Sequence, residues 1–294
     1  MKSEDLILKQ ENRNDRSKEE PVIIVRRSHG LASLKLKELW ECRELMYFLA
    51  WRDIKLKYKQ TILGASWAIL QPFLAMLLFT LIFNKLIGLS SEGIPYPLFS
   101  YSGLVIWLFF ANSVMQASDS LVAQANTVKK VYFPRMVIPV AAVGCNAVDF
   151  FLAFLVLIGM MVYYGSSPGL AVLMVPLFLI LALTTVLGVG LWLSALNVLF
   201  RDVRHVVPFM IQMWLFASPI AYSSSFMADK NPIWGYVYGM NPMAGVVDGF
   251  RWALLGTEMQ QPQVIIISSL VAVALLVSGA YFFKRTERVF ADVL

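Results

Sequence analysis

The sequence predicts an all-α membrane protein with six transmembrane helices, an N-terminal amphipathic interfacial helix and a re-entrant helical segment between spans five and six. Three observations carry that expectation. Of 294 residues, 58% are hydrophobic and only 15% charged, far from the balance of a soluble domain. Six apolar runs, at about 64–86, 98–123, 136–164, 170–198, 206–224 and 263–283, are long enough to cross roughly 30 Å of hydrocarbon. All but Lys85, Lys230 and Arg251 of the 25 basic residues fall in the segments that six crossings leave on one side. That asymmetry marks the cytoplasmic side. An even number of spans then puts both termini there, and the polar first 30 residues contain no secretory signal core.

Taken in order, residues 1–33 mix Glu, Asp, Lys, Arg, Asn and Ser, a composition that buries too little surface to fold alone. They read as a mobile tail. Over 34–60, Leu36, Leu39, Trp40, Tyr47, Ala50, Trp51 and Ile54 recur at helical spacing between charges. This predicts an amphipathic helix in the cytoplasmic interface, or one packed on a partner protein. The spans proper occupy 61–294. The second carries Asn112, Gln116, Asp119 and Ser120 as one polar stripe. The third places Asn146 and Asp149 one turn apart, and the fourth offers Gly190, Ser194 and Asn197 on one face for close helix contact. Over 225–262, Asn231-Pro232, Gly239, Asn241-Pro242 and Gly245 punctuate the chain into pieces too apolar for an exposed loop and too short to span. A re-entrant pair is expected, with its backbone satisfied by protein or by an aqueous cavity.

Several chemistries are excluded. No Gly precedes Lys, so the phosphate-binding loop ending in Gly-Lys-Ser/Thr does not occur. There is no Gly-x-Ser-x-Gly elbow, no His-Glu-x-x-His and no Asp-x-Asp pair. His29 and His205 read as solvated, and Cys42 and Cys145 as inert thiols without metal spacing. No basic module interleaved with aromatics suggests nucleic acid. Asp119 and Asp149 are the carboxylates within spans; structural hydrogen bonding, a hydrophilic path and proton coupling all remain open for them. The loop Val128-Lys129-Lys130-Val131-Tyr132-Phe133-Pro134-Arg135 is strongly basic and joins two spans. In a chain without an ATP motif it is a candidate docking surface for a separate motor subunit, with anchoring by the positive-inside rule as the simpler alternative.

In sequence order, Tyr58-Lys59-Gln60-Thr61-Ile62-Leu63-Gly64, Trp67, Gln71-Pro72, Ser102-Gly103-Leu104, Trp107, Lys129 to Arg135, Pro139, Leu199-Phe200-Arg201-Asp202-Val203, Ser218-Pro219-Ile220 and Asn241-Pro242 resemble the ABC-2 type permeases that export O-antigen, capsule and teichoic-acid polymers. The resemblance runs across about 35–290. It implies a transport subunit, not an enzyme, and a homodimer working with two copies of a cytoplasmic ATPase, which would bind the ATP and magnesium. It further implies outward movement of a lipid-linked polysaccharide across a bacterial inner membrane. A coupling helix would fall on Asn126–Phe133, with Asn126, Lys129, Lys130, Tyr132, Phe133 and Arg135 meeting the ATPase.

The family's substrate entrance would use Arg52, Lys55, Lys57, Tyr58, Lys59 and the Leu63-Gly64 turn, the cations suiting a lipid-linked diphosphate. Ordinary snorkelling explains any single Lys equally well. Phe73, Trp107, Phe110, Asn112, Gln116, Trp214 and Phe216 are the channel-lining candidates. Two other classes stay open: a membrane-embedded enzyme using Asp229, Asp248 or Glu258, and a proton-coupled transporter using Asp119 and Asp149.

Overall fold

The computed structural model describes residues 36–59, 64–89, 91, 93–130, 133–223, 232–257 and 261–290. The tail expected over 1–33 lies outside them. Among the described residues every regular element is helical. Five helices are long and apolar enough to cross a membrane: Ser66–Leu86 (α3), Tyr96–Ala123 (α4), Val137–Tyr163 (α6), Leu170–Leu199 (α7, opening with a 3₁₀ turn) and Pro262–Val289 (α11, closing with one).

The helix expected over 34–60 forms as two pieces, Leu36–Glu41 (α1) and Arg43–Lys59 (α2), broken at Cys42. Leu49 points into the protein, while Trp40, Tyr47, Phe48, Trp51 and Leu56 stay exposed. Next, Gly64 adopts φ +46°, a left-handed conformation that costs glycine little. That turn sends the chain into α3. Pro72 sits inside α3 and removes one backbone donor, and the helix widens into a π-helical stretch over Thr80–Leu86.

Burial separates the helices by role. In α4, 83% of the most apolar window is buried, against 11% in α3. Thus α4 is the central helix of the bundle, packed by α6 and α7, with Phe99, Tyr101, Ile106 and Phe110 fully enclosed. The small face expected on the fourth span does meet a neighbour, since a Cβ on Gly190 would stand 3.0 Å from Cβ of Ala117. An even closer approach joins α7 to α11. A Cβ on Gly279 would come within 2.4 Å of the Gly188 carbonyl oxygen, and one on Gly188 within 2.7 Å of the Leu276 amide nitrogen. The backbones touch there because both residues lack side chains. Trp192 then stacks on Phe282 at 4.1 Å.

The fifth run, 206–224, folds differently from a continuous span. Its helix, Val203–Phe216 (α8), has 14 residues and so reaches about 21 Å. It stops because Pro219 cannot donate a backbone hydrogen bond and disfavours helix in the residue before it. Asn241 satisfies the chain at that end: its amide nitrogen donates to the Ala217 carbonyl (2.9 Å) and to Ser218 Oγ (3.1 Å). Its Oδ1 accepts from Trp214 Nε1 (2.8 Å) and from the Met243 amide (3.0 Å), which caps the following helix.

Within 225–262 the described residues form Pro232–Gly239 (α9) and Pro242–Leu255 (α10). α10 is buried along most of its length against α11, α7 and α4. Asp229 and Glu258 lie outside the described residues. The lone basic residue of α10, Arg251, is 2% exposed and runs 3.6 Å from the centre of the Phe99 ring. Its guanidinium donates to the carbonyls of Pro219 (3.0 Å) and Phe99 (3.3 Å), and Asp248 lies 3.7 Å away one turn earlier.

Candidate functional site

At the other end of the bundle, the end bearing Lys57, Lys129 and Arg135, the polar stripes predicted on α4 and α6 meet the last turn of α2. Helical spacing aligns Asn112, Gln116 and Asp119 on α4, and Asn146 with Asp149 on α6. Lys57 Nζ pairs with Asp149 Oδ2 and donates to Asn146 Oδ1 at 3.1 Å. The Tyr58 hydroxyl donates to the other Asp149 oxygen. Asn146 in turn donates to Gln116 Oε1 at 2.8 Å. Burial first, and then the neighbouring carboxylate, hold the Tyr58 phenol above its ordinary pKa, so it stays protonated and keeps donating.

Asp119 is held separately. Asn197 of α7 donates to its Oδ1 at 3.0 Å and Arg204 of α8 stands 3.9 Å away. Both span carboxylates therefore find basic or hydrogen-bonding partners that come from outside their own helices. Lys57, Tyr58, Asn112, Gln116, Asp119, Asn146 and Asp149 line a cavity of about 470 Å³ between α2, α3, α4 and α6, whose wall also includes Trp67, Gln71 and Phe150.

The predicted entrance residues divide among three settings. Lys57, Tyr58 and Gly64 line the cavity. Arg52 pairs with its neighbour Asp53 at 2.7 Å, Lys55 lies 5.5 Å over the Trp51 ring, and Lys59 is exposed. Leu63 lies outside the described residues.

The predicted docking residues sit on a short helix, Ala125–Lys130 (α5), with Val128 buried beneath and Asn126, Lys129 and Lys130 exposed. Phe133 is half-buried, and Tyr132 lies outside the described residues. Arg135 is tied down: its backbone amide donates to Glu287 Oε1 at 3.1 Å and its guanidinium to the Glu287 carbonyl, while Lys284 pairs with the same carboxylate at 2.7 Å. The loop is thereby joined to the end of α11.

Of the channel-lining candidates, Asn112 and Gln116 face the cavity. Trp107 and Phe110 are enclosed in the core of the chain, where Phe110 meets Trp107 at 5.2 Å and Trp214 at 5.1 Å. Phe73 and Phe216 are exposed. Residue type alone did not single out Trp67, Gln71 or the Asp149 cluster as cavity wall. The one-turn spacing of Asn146 and Asp149 was the available signal.

The arrangement offers a recess with several polar lining residues beside exposed cations, with a basic helix next to it. Among the described residues no group of three His, Cys, Asp or Glu is placed to hold a metal. The chain is 28% identical to the O-antigen export system permease protein RfbA of Myxococcus xanthus over 258 residues, 87% of this chain and 98% of that one. It is 28% identical to the protein of the same name from Klebsiella pneumoniae, covering 89% of this chain and all of that one. The polysialic acid transport protein KpsM of Escherichia coli is 22% identical over 80% of this chain and 91% of its own. The ABC-2 type transporter model matches residues 44–255, and the chain belongs to that family.

Proposed function

We propose that this chain is the permease subunit of an ABC exporter that moves a lipid-linked, O-antigen-like polysaccharide outward across a bacterial inner membrane, driven by a separate ATPase. The observation that carries the reading is the polar cavity beside the cations of α2, at the end of the bundle that also presents α5. A lipid-linked glycan needs an apolar flank for the lipid, cations for its diphosphate and hydrogen-bonding groups for its sugars. All three meet here. The near-complete coverage of O-antigen export permeases supports the same substrate class.

In this reading both termini are cytoplasmic and α2 lies in the inner-leaflet interface. α8 and the turns after it make the fifth of six crossings, with α9 and α10 re-entrant from the outer side. Two copies pair to enclose a path wide enough for a polymer, in line with the prevalence of closed two-fold assemblies. The poorly buried α3 is available to lipid or to that second copy. Each copy receives one ATPase subunit at Asn126, Lys129 and Lys130, and the Arg135–Glu287 tie passes its movement to α11.

Proton coupling through Asp119 and Asp149 is less well supported, because both carboxylates are engaged by side chains from other helices. An enzyme built on Asp248 is likewise disfavoured, since Arg251 engages it in a buried setting. Deleting the gene and complementing it tests the reading. Cells without the chain should retain completed polysaccharide on the inner side, and the wild-type gene should restore its export. Normal surface polysaccharide in the deletion strain would remove it.

A further inference from the structure

The charges on the cavity wall speak against the diphosphate as its occupant. Lys57 is the one cation among the described lining residues, which also include Asp149 and Asp119; its charge is already matched by Asp149, and Arg204, outside the lining, stands 3.9 Å from Asp119. The wall is thus neutral to negative. A diphosphate placed inside would meet two carboxylates and no described lining cation whose charge is unmatched, so like-charge repulsion disfavours it there. Lys55 and Lys59, by contrast, are exposed on α2.

The remaining wall suits an uncharged, hydroxyl-rich ring. Asn112 and Gln71 line the cavity and make no hydrogen bond to any described residue. Each offers both a donor and an acceptor. Both contacts to Asp119 use Oδ1, which leaves Oδ2 able to accept from a hydroxyl. Trp67, 56% exposed, supplies an aromatic face. The volume of about 470 Å³ falls within the range of roughly 300–1,000 Å³ for small-molecule pockets.

We propose that the cavity between α2, α3, α4 and α6 is a subsite for a neutral sugar ring, the one joined to the lipid diphosphate, and that the diphosphate remains outside it against Lys55 and Lys59. This rests on the permease reading and assigns the two chemical parts of its substrate to two places. Hydrogen bonds with Asn112 and Gln71, and one that Asp119 accepts from a hydroxyl, set the sugar's orientation, and Trp67 packs on its face.

The test uses the full chain in lipid nanodiscs with two probes, farnesyl diphosphate and farnesyl diphosphate carrying one glucose or one N-acetylglucosamine. The wild-type protein should bind a sugar-bearing probe roughly tenfold more tightly than the bare one, the effect of one or two added hydrogen bonds. Asn112→Ala and Gln71→Ala should erase that preference without changing affinity for the bare probe, while Lys55→Gln with Lys59→Gln should weaken both probes. Saturation-transfer NMR on the wild-type protein should show contact to the sugar ring protons, a readout that needs no variant. Equal binding of all probes, no transfer to the sugar, or equal weakening of both probes by Asn112→Ala overturns the subsite while leaving the permease reading standing. Failure of every probe to bind overturns both.

Discussion

Two cations hold the two ends of this bundle in different ways. Arg251 is held largely by backbone, the carbonyls of Pro219 and Phe99, together with the Phe99 ring and Asp248 on its own helix, with 3% of its side chain exposed. Lys57 is fixed by side chains, Asp149 and Asn146, with 36% of its own side chain exposed. The first arrangement is a clamp, binding α10 to α4 and to the turn after α8. The second is a tie that rotamer changes can release. In the permease reading proposed above, that division lets one end admit substrate while the other keeps its short helices ordered.

The largest expected effect follows from cutting the clamp. Replacing Arg251 with Ala leaves Asp248 and several carbonyls without their buried cation, and breaking such a pair typically costs roughly 3–5 kcal/mol. Thermal unfolding in detergent should show a large drop in stability or loss of folded protein. Gly103→Ala probes the same clamp more gently. Its Cβ would stand 2.8 Å from an Arg251 nitrogen, and crowding of this kind costs about 1–3 kcal/mol; a melting temperature equal to wild type would break the comparison.

Cutting the tie should do the reverse, with little effect on stability and much on function. A partly exposed ion pair contributes less than about 1 kcal/mol, so Lys57→Met should melt close to wild type while export falls. The swapped pair Lys57→Asp with Asp149→Lys should recover part of the export. The smallest structural effect is expected for Glu287→Gln, which keeps the shape of the Arg135 contact but removes its charge. ATPase activity of the assembled complex should then respond less to substrate, with folding unchanged.

Much of the fold was legible because the signal was length. Runs of apolar residues long enough to cross hydrocarbon mark α3, α4, α6, α7 and α11 within a few residues, since few other structures tolerate them. The run at 206–224 misled on continuity: it is apolar along most of its length, but Pro219 and the distant side chain of Asn241 decide where its helix ends. The site was legible in part. The stripes on α4 and α6 can be read from helical periodicity, and the cations of α2 from charge. Their meeting cannot, because Lys57 and Asp149 are 92 residues apart and a helix pattern records a face without naming its neighbour. The aromatics show the same gap. Trp107 and Phe110 are as aromatic as any channel wall, yet packing encloses them in the core of the chain, whereas Trp67 stands at the cavity.

The most direct measurement is transport in inverted membrane vesicles holding this chain and its ATPase, supplied with the lipid-linked polysaccharide on the outside. ATP should drive the polysaccharide into a protected lumen, an uncoupler that collapses the proton gradient should leave the rate unchanged, and K129E/K130E should abolish it together with ATPase co-purification. Uptake that continues without ATP, or that follows an imposed pH gradient, would contradict an ATPase-driven permease.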